Sequence, residues 1–187
     1  GQNQFGLAVN MVPFLGNNNG NRVMMGAKQT NQSVGLLHRE APLVQVATSQ
    51  GSSRSFERAL GEVQSVICKE DGKVQSVTDD MIRIKSGRVV KEYPLYNMFQ
   101  TNDKRSFLNH TAKVKPGDLV KKGQVLADLN FTKNGTLATG VNLRMAYVPM
   151  KGYNFEDGIV VSRSATEKLT SEHLHKVERD CTFPLGT

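Results

Sequence analysis

Between residues 63 and 129 the chain is interrupted by the turn clusters EDGK (70–73), TDD (78–80), KSG (85–87), KPGD (115–118) and KKG (121–123) before any helix-length pattern can develop. Gly supplies backbone conformations closed to other residues, and Pro116 lacks the N–H that a helix interior needs. The apolar runs between these clusters, 63–67, 74–77, 81–84 and 89–93, are short and alternate with a period near two. Such spacing predicts a β-meander or small barrel, so the chain reads as mainly β. The stretch KVKPGDLVKKGQVLADL (113–129) adds two more β runs around two Gly turns.

Only one window has convincing helical periodicity. The cluster GNNNGN (16–21) feeds residues 22–37, with Asn21 read as the N-cap and Arg22 on the first turn. A helix start offers unpaired N–H groups and a positive dipole end, so Arg22 lies where an anion is favoured; a solvent-facing arginine is the plainer alternative. Residues 46–60, with QGSSRS at their centre, read as a polar connection, and 98–110 as an irregular crossing or a strand with exposed polar residues. Strands are predicted at 143–148, closed by Pro149, at 159–162 and at 174–181, with a short helix at 164–169 capped by Ser164. The expected organisation is a helix-containing segment (1–45), a linker (46–62), a β-rich module (63–140) and a barrel segment (141–187).

Charge narrows the partners. Lys and Arg number 24 against 17 Asp and Glu, a net charge of +7 that favours a polyanion such as nucleic acid or nucleotide. There is no Trp and aromatics are 6%, so no base-stacking platform is advertised. Cys68 and Cys181 are far apart with no C-x-x-C, which excludes a disulfide framework or zinc knuckle and fits a reducing compartment. No apolar run reaches the length of about 20 residues that a bilayer needs, so a cytoplasmic location and no membrane partner are expected.

The chemistry concentrates in GYNFEDG (152–158), where Glu156 and Asp157 put adjacent carboxylates beside Tyr153 and Phe155, rings that can shield them from water. Two hard oxygen donors in a protected turn suit Mg²⁺, which takes few protein carboxylates and leaves its other positions to water and phosphate. A solvated acidic turn is the alternative.

The longer string NLRMAYVPMKGYNFEDGIVVS (142–162) closely resembles the N-x-x-V-A-[FY]-M-P-W-x-G-Y-N-F-E-D-[AS]-I-x-[IV]-S segment of the β subunit of multisubunit DNA-dependent RNA polymerases. Four further blocks resemble the family in its own order: VPFLGNNNGNRVMMGAKQTNQS (12–33), EAPLV (40–44), GKVQSVTDDMIRI (72–84) and NHTAKVKPGDLVKKGQVLAD (109–128).

That resemblance implies an internal β-subunit segment: part of a double-psi β-barrel plus a barrel-sandwich-hybrid-like β module, with one principal helix, ending where the flap begins. It implies nucleotidyl transfer with Mg²⁺ in a complex with the largest, β′-like subunit, the rest of the β subunit, DNA template, RNA transcript and nucleoside triphosphates. By the same resemblance Arg22 lies near the incoming triphosphate, Gln32 near nascent RNA, and Glu156 and Asp157 beside the nucleotide-borne Mg²⁺, directly or through water. The family's other metal-binding aspartates belong to the other large subunit and its active-site lysines follow this stretch, so the chain alone is expected to be inactive. Met150 in place of the usual Trp, Asn31 in place of a basic residue, and DLNFTKNGTLATG (128–140) depart from the family pattern and suggest a divergent lineage, viral or phage, in a bacterial host cell.

Two other classes compete. The hairpin VKPGDLVKKGQVLADLNFTK (114–133) resembles biotinyl and lipoyl carriers, with Lys133 as the attachment residue. A Mg²⁺-dependent phosphohydrolase would use Glu156, Asp157 and His110, but no H-x-D or D-x-D pair completes a two-metal site. His173 and His175 would share a strand face without a third ligand, and His38 stands alone.

Overall fold

The computed structural model describes residues 5–101 and 106–179. Helices α1 (Leu7–Asn10), α2 (Gly20–Asn31), α3 (Phe56–Gln64) and α4 (Arg163–Lys168) flank eleven short strands. These are β1 (Val66–Ile67), β2 (Gly72–Val77), β3 (Met81–Ser86), β4 (Val89–Pro94), β5 (Phe99–Gln100), β6 (Phe107–Leu108), β7 (His110–Ala112), β8 (Leu119–Val120), β9 (Val125–Leu129), β10 (Thr132–Lys133) and β11 (Thr136–Leu137). All their pairings are antiparallel, in sheets of order β4-β3-β2-β8 and β1-β9-β7 and in hairpins β5-β6 and β10-β11.

The period-two pattern decides the faces. Val74, Ile82 and Ile84 turn inward while Lys73, Arg83 and Lys85 turn to solvent. The inward residues meet Tyr93, Val114, Val120, Leu126, Ala127 and Cys68 in one core between the two larger sheets. Tyr93 is buried with its hydroxyl accepting the Lys69 N–H at 3.1 Å, so its polar end is satisfied as its ring packs.

The helical readings differ from the sequence expectation in four places. Helix α2 starts earlier, because Asn19 rather than Asn21 caps it, its side chain accepting the Asn21 N–H at 3.0 Å. It stops at Asn31 with Gln32 as C-cap, and the chain then runs to an antiparallel bridge between Leu36 and Ser171. The polar connection ends in helix α3, whose Ser55 cap accepts the Arg58 N–H and whose Arg58–Glu62 pair is spaced i,i+4. The helix packs on the β10-β11 hairpin through Gly61, where any Cβ would lie 2.5 Å from the Gly135 carbonyl oxygen. Helix α4 is capped by Ser162 rather than Ser164.

The strands expected at 143–148 and 159–162 are absent, as is the part of the 174–181 strand that falls within the described residues. A strand needs a neighbouring edge to satisfy its backbone, and among the described residues 143–161 hydrogen-bond only with one another. The side chains there stay exposed, including Met145, Tyr147 and Ile159.

Candidate functional site

The GYNFEDG segment folds as a run of tight turns, two of which pass through left-handed central residues. In the first, the Tyr153 N–H reaches the Met150 carbonyl at 2.9 Å across Lys151 and Gly152, both left-handed at φ 52° and 83°. In the second, the Gly158 N–H reaches the Phe155 carbonyl at 3.1 Å across Glu156, itself left-handed at φ 52°. Asn154 joins them, its Oδ1 accepting the Met150 N–H at 2.8 Å and its Nδ2 donating to the Val148 carbonyl at 2.6 Å. Gly158 is required by closeness, since a Cβ there would sit 2.9 Å from the Tyr153 carbonyl oxygen. A left-handed conformation costs a residue other than glycine about 1 kcal/mol or more, so Glu156 occupies a position where glycine would be more stable.

Glu156 and Asp157 are exposed, and Glu156 borders an open hollow of about 460 Å³ with Tyr147, Pro149 and Phe155. The expected shield is not formed: Tyr153 and Phe155 are each 77% exposed, because nothing packs over this excursion among the described residues. The donor set is two adjacent hard carboxylates with open surroundings, and no group of three metal-ligating side chains occurs among the described residues. Such a pair fits Mg²⁺ only as a partial shell completed by water and phosphate.

Both ends of the excursion are held by one carboxylate. Glu40 Oε2 accepts the Asn142 backbone N–H at 3.0 Å and its side-chain amide at 3.1 Å, while Oε1 takes the Lys168 ammonium at 2.9 Å. Asn142 completes the clasp by donating to the Ala41 carbonyl and accepting the Leu43 N–H. The Lys168 ammonium, followed by the two Asn142 donors, brings the Glu40 carboxyl down to about 2 from an ordinary 4.5. A depressed carboxylate stabilises the fold above its unfolded value and loses that contribution as pH falls through its folded value. Wild type is therefore expected to exceed Glu40→Gln in thermal stability at pH 6, with the difference shrinking below pH 4.5 and vanishing near pH 2. Melting curves across that range check it, and a gap independent of pH would contradict it.

Arg22 is the third residue of α2, exposed and without an ion pair among the described residues. Gln32 is the C-cap of the same helix and also exposed. No hydrogen bond or ion pair joins α2 to residues 143–161 among the described residues, so the carboxylate pair and Arg22 stay on separate elements. Reading the sequence missed Glu40, Asn142 and Asn154. The signal available for the first two was their place within the family-like blocks; for Asn154 it was Asn beside a Gly turn.

The competing sites are committed to structure. His110 Nδ1 accepts the Tyr96 N–H at 2.8 Å and Nε2 contacts the Gln64 carbonyl at 3.0 Å, which fixes the Nε2–H tautomer and leaves no nitrogen for catalysis. Lys133 precedes the left-handed Asn134-Gly135 turn, which Arg58 ties to α3 through the Asn134 carbonyl at 2.6 Å, unlike the free tip that a swinging carrier arm needs. His173 Nε2 contacts the Ser171 hydroxyl, and the segment that holds it and His175 forms no strand through residue 179. His38 is exposed.

Residues 8–182 match the family described as RNA polymerase Rpb2, domain 6. The chain is 37% identical over 182 residues to the DNA-directed RNA polymerase subunit beta of Anaeromyxobacter sp. (strain K), covering 92% of this chain and 12% of that protein. The subunit beta of Carsonella ruddii (strain PV) is 35% identical over 172 residues, covering 92% and 13%. That of Chara vulgaris is 34% identical over 178 residues, covering 93% and 16%. The chain thus spans about an eighth of the length of the first relatives it matches.

Proposed function

The chain belongs to the RNA polymerase Rpb2 domain 6 family as an internal β-subunit segment, and on that premise we propose that it serves templated RNA synthesis by holding the incoming nucleoside triphosphate and its Mg²⁺. The observation that carries this reading is the Glu156-Asp157 pair, held in a left-handed turn on an excursion whose two ends one carboxylate clasps. In this reading the pair binds Mg²⁺ directly or through water, Arg22 binds phosphate oxygens through its planar fork, and Gln32 lies along the transcript. When bound, Mg²⁺ supplies charge stabilisation to the phosphoryl transfer. The exposed apolar side chains of 143–161 would be covered by the remainder of the β subunit and the largest subunit, completing the double-psi barrel. Acting alone, the chain would lack the remaining catalytic groups and be inactive. The cytoplasm of a bacterial or infected bacterial cell, a divergent and viral lineage, and contact with template and transcript all belong to the same reading.

The test is a reconstituted polymerase containing this chain with Glu156→Gln and Asp157→Asn, which keep shape and remove charge. The Mg²⁺ concentration for half-maximal elongation is expected to rise several-fold while assembly and DNA binding persist. An unchanged Mg²⁺ dependence would leave the pair a solvated acidic turn.

A further inference from the structure

The outer face of the four-stranded sheet carries a row that its own register makes unfavourable. Lys73 on β2 lies directly opposite Lys85 on β3, and the row continues to Val90 on β4 and Leu119 on β8. Like charges directly opposed across an antiparallel pair are destabilising. The next row shows the usual solution on the same sheet, where Arg83 faces Glu92 and donates to it at 2.9 Å. Neither Lys73 nor Lys85 has an ion pair among the described residues.

Three more cations gather at the same end of the sheet. Arg88 is in the β3–β4 turn, and Lys121 and Lys122 follow β8 where it passes Gly72. All three are exposed and unpaired among the described residues. Of the carboxylates nearby, Glu70 pairs with Lys91, while Asp71, whose Oδ1 accepts the Lys122 backbone N–H at 2.7 Å, has no ion pair among the described residues and keeps its charge at this end. The acidic Asp79 and Asp80 lie at the opposite end, in the β2–β3 turn. Cations therefore outnumber carboxylates at this end, where five cations without an ion pair among the described residues meet the single Asp71 charge.

We propose that this end of the sheet is a phosphate-backbone surface for nucleic acid, separate from the GYNFEDG segment and independent of what that segment binds. Four of the five cations are lysines, flexible point charges with no aromatic side chain among them, which suits sequence-independent contact with phosphates. They lie across strands about 4.8 Å apart, a spread that reaches several consecutive phosphates. Leu119, 80% exposed, and Val90 flank the lysine pair and offer apolar area to the sugars. An anion from outside also relieves the Lys73–Lys85 opposition.

The experiment titrates the 187-residue chain against a fluorescent duplex of about 20 base pairs across salt concentrations. Lys73→Glu with Lys85→Glu is expected to weaken binding about tenfold or more and to reduce the salt slope by about 2, close to one unit for each phosphate that is no longer neutralised. Lys28→Glu with Lys133→Glu changes net charge equally elsewhere and is expected to leave the slope nearly unchanged. Single Lys85→Glu turns the opposed pair into unlike charges, so it is expected to raise the thermal midpoint while weakening binding. If the double reversal fails to fold, the neutral Lys73→Gln with Lys85→Gln is read instead, with the same direction. Equal weakening in both double variants would overturn the proposal in favour of diffuse charge. Displacement of the duplex by polyglutamate at equal charge concentration would overturn it in favour of an acidic protein partner.

Discussion

Replacing Asp128 with alanine is expected to destabilise the chain by about 1–3 kcal/mol, the range for leaving a buried hydrogen-bond donor without its acceptor. Its side chain is 6% exposed beside Lys113 at 3.4 Å. Its two oxygens accept the Asn134 and Gly135 N–H groups, each at 2.8 Å, and Thr132 donates at 3.4 Å. Alanine leaves the buried Gly135 N–H without its acceptor, while the exposed Asn134 N–H can turn to solvent and Thr132 keeps the Leu129 carbonyl. The damage would spread, because Gly135 is where α3 makes its close approach through Gly61. Asp128→Asn keeps one acceptor oxygen and is expected to cost less. Burial alone would push the Asp128 carboxyl up, but the Gly135 and Asn134 N–H groups and then Lys113 outweigh it and hold it below 3.8. The contribution is therefore present above the ordinary carboxylate range and lost as pH falls below it. Urea denaturation of wild type and both variants measures this, and a loss under about 1 kcal/mol for alanine would show that the turn stands without its anchor.

How much of this was legible follows from range. The β meander could be read because its signals are local: EDGK, TDD and KSG end strands whose alternation is visible in the residues themselves. Helix α3 is equally local but hidden, since QGSSRS has the composition of a loop. Ser55 as cap, Glu57 in the first turn and Phe56, Leu60 and Val63 at helical spacing were all present. Residues 143–161 show the converse. Their apolar alternation is a true strand signal, but strand formation depends on an edge that no described residue supplies, so pattern without a partner gives exposed chain. The clasp at Glu40 joins residues 40, 142 and 168, and such contacts leave no trace in local pattern. GYNFEDG stands out as a candidate because its residue string is distinctive. Its turn geometry is less legible, since Glu156 takes a conformation that glycine usually fills.

Arg22→Ala is expected to weaken nucleotide use by the assembled polymerase about 10- to 150-fold, as removal of one charge-assisted phosphate interaction worth about 1.5–3 kcal/mol requires. The warrant is where the residue sits. Arg22 is on the first turn of a twelve-residue helix whose Asn19 cap secures that end of the helix. The positive end of the helix dipole and the guanidinium then point to the same chemistry, an anion. No acidic residue occupies the first turn and no ion pair engages Arg22 among the described residues, so its fork is free for a ligand from outside. Arg22→Lys retains charge without the planar fork and is expected to lose less than alanine. Because the interaction would be with substrate phosphates, the effect should appear in the nucleotide concentration dependence of elongation, with Mg²⁺ dependence and assembly little changed. That pattern separates Arg22 from Glu156 and Asp157, whose charge removal is expected to act on the Mg²⁺ requirement. Equal nucleotide dependence in wild type and Arg22→Ala would make Arg22 a solvent-facing residue of α2 and leave the carboxylate turn to be judged by its own titration.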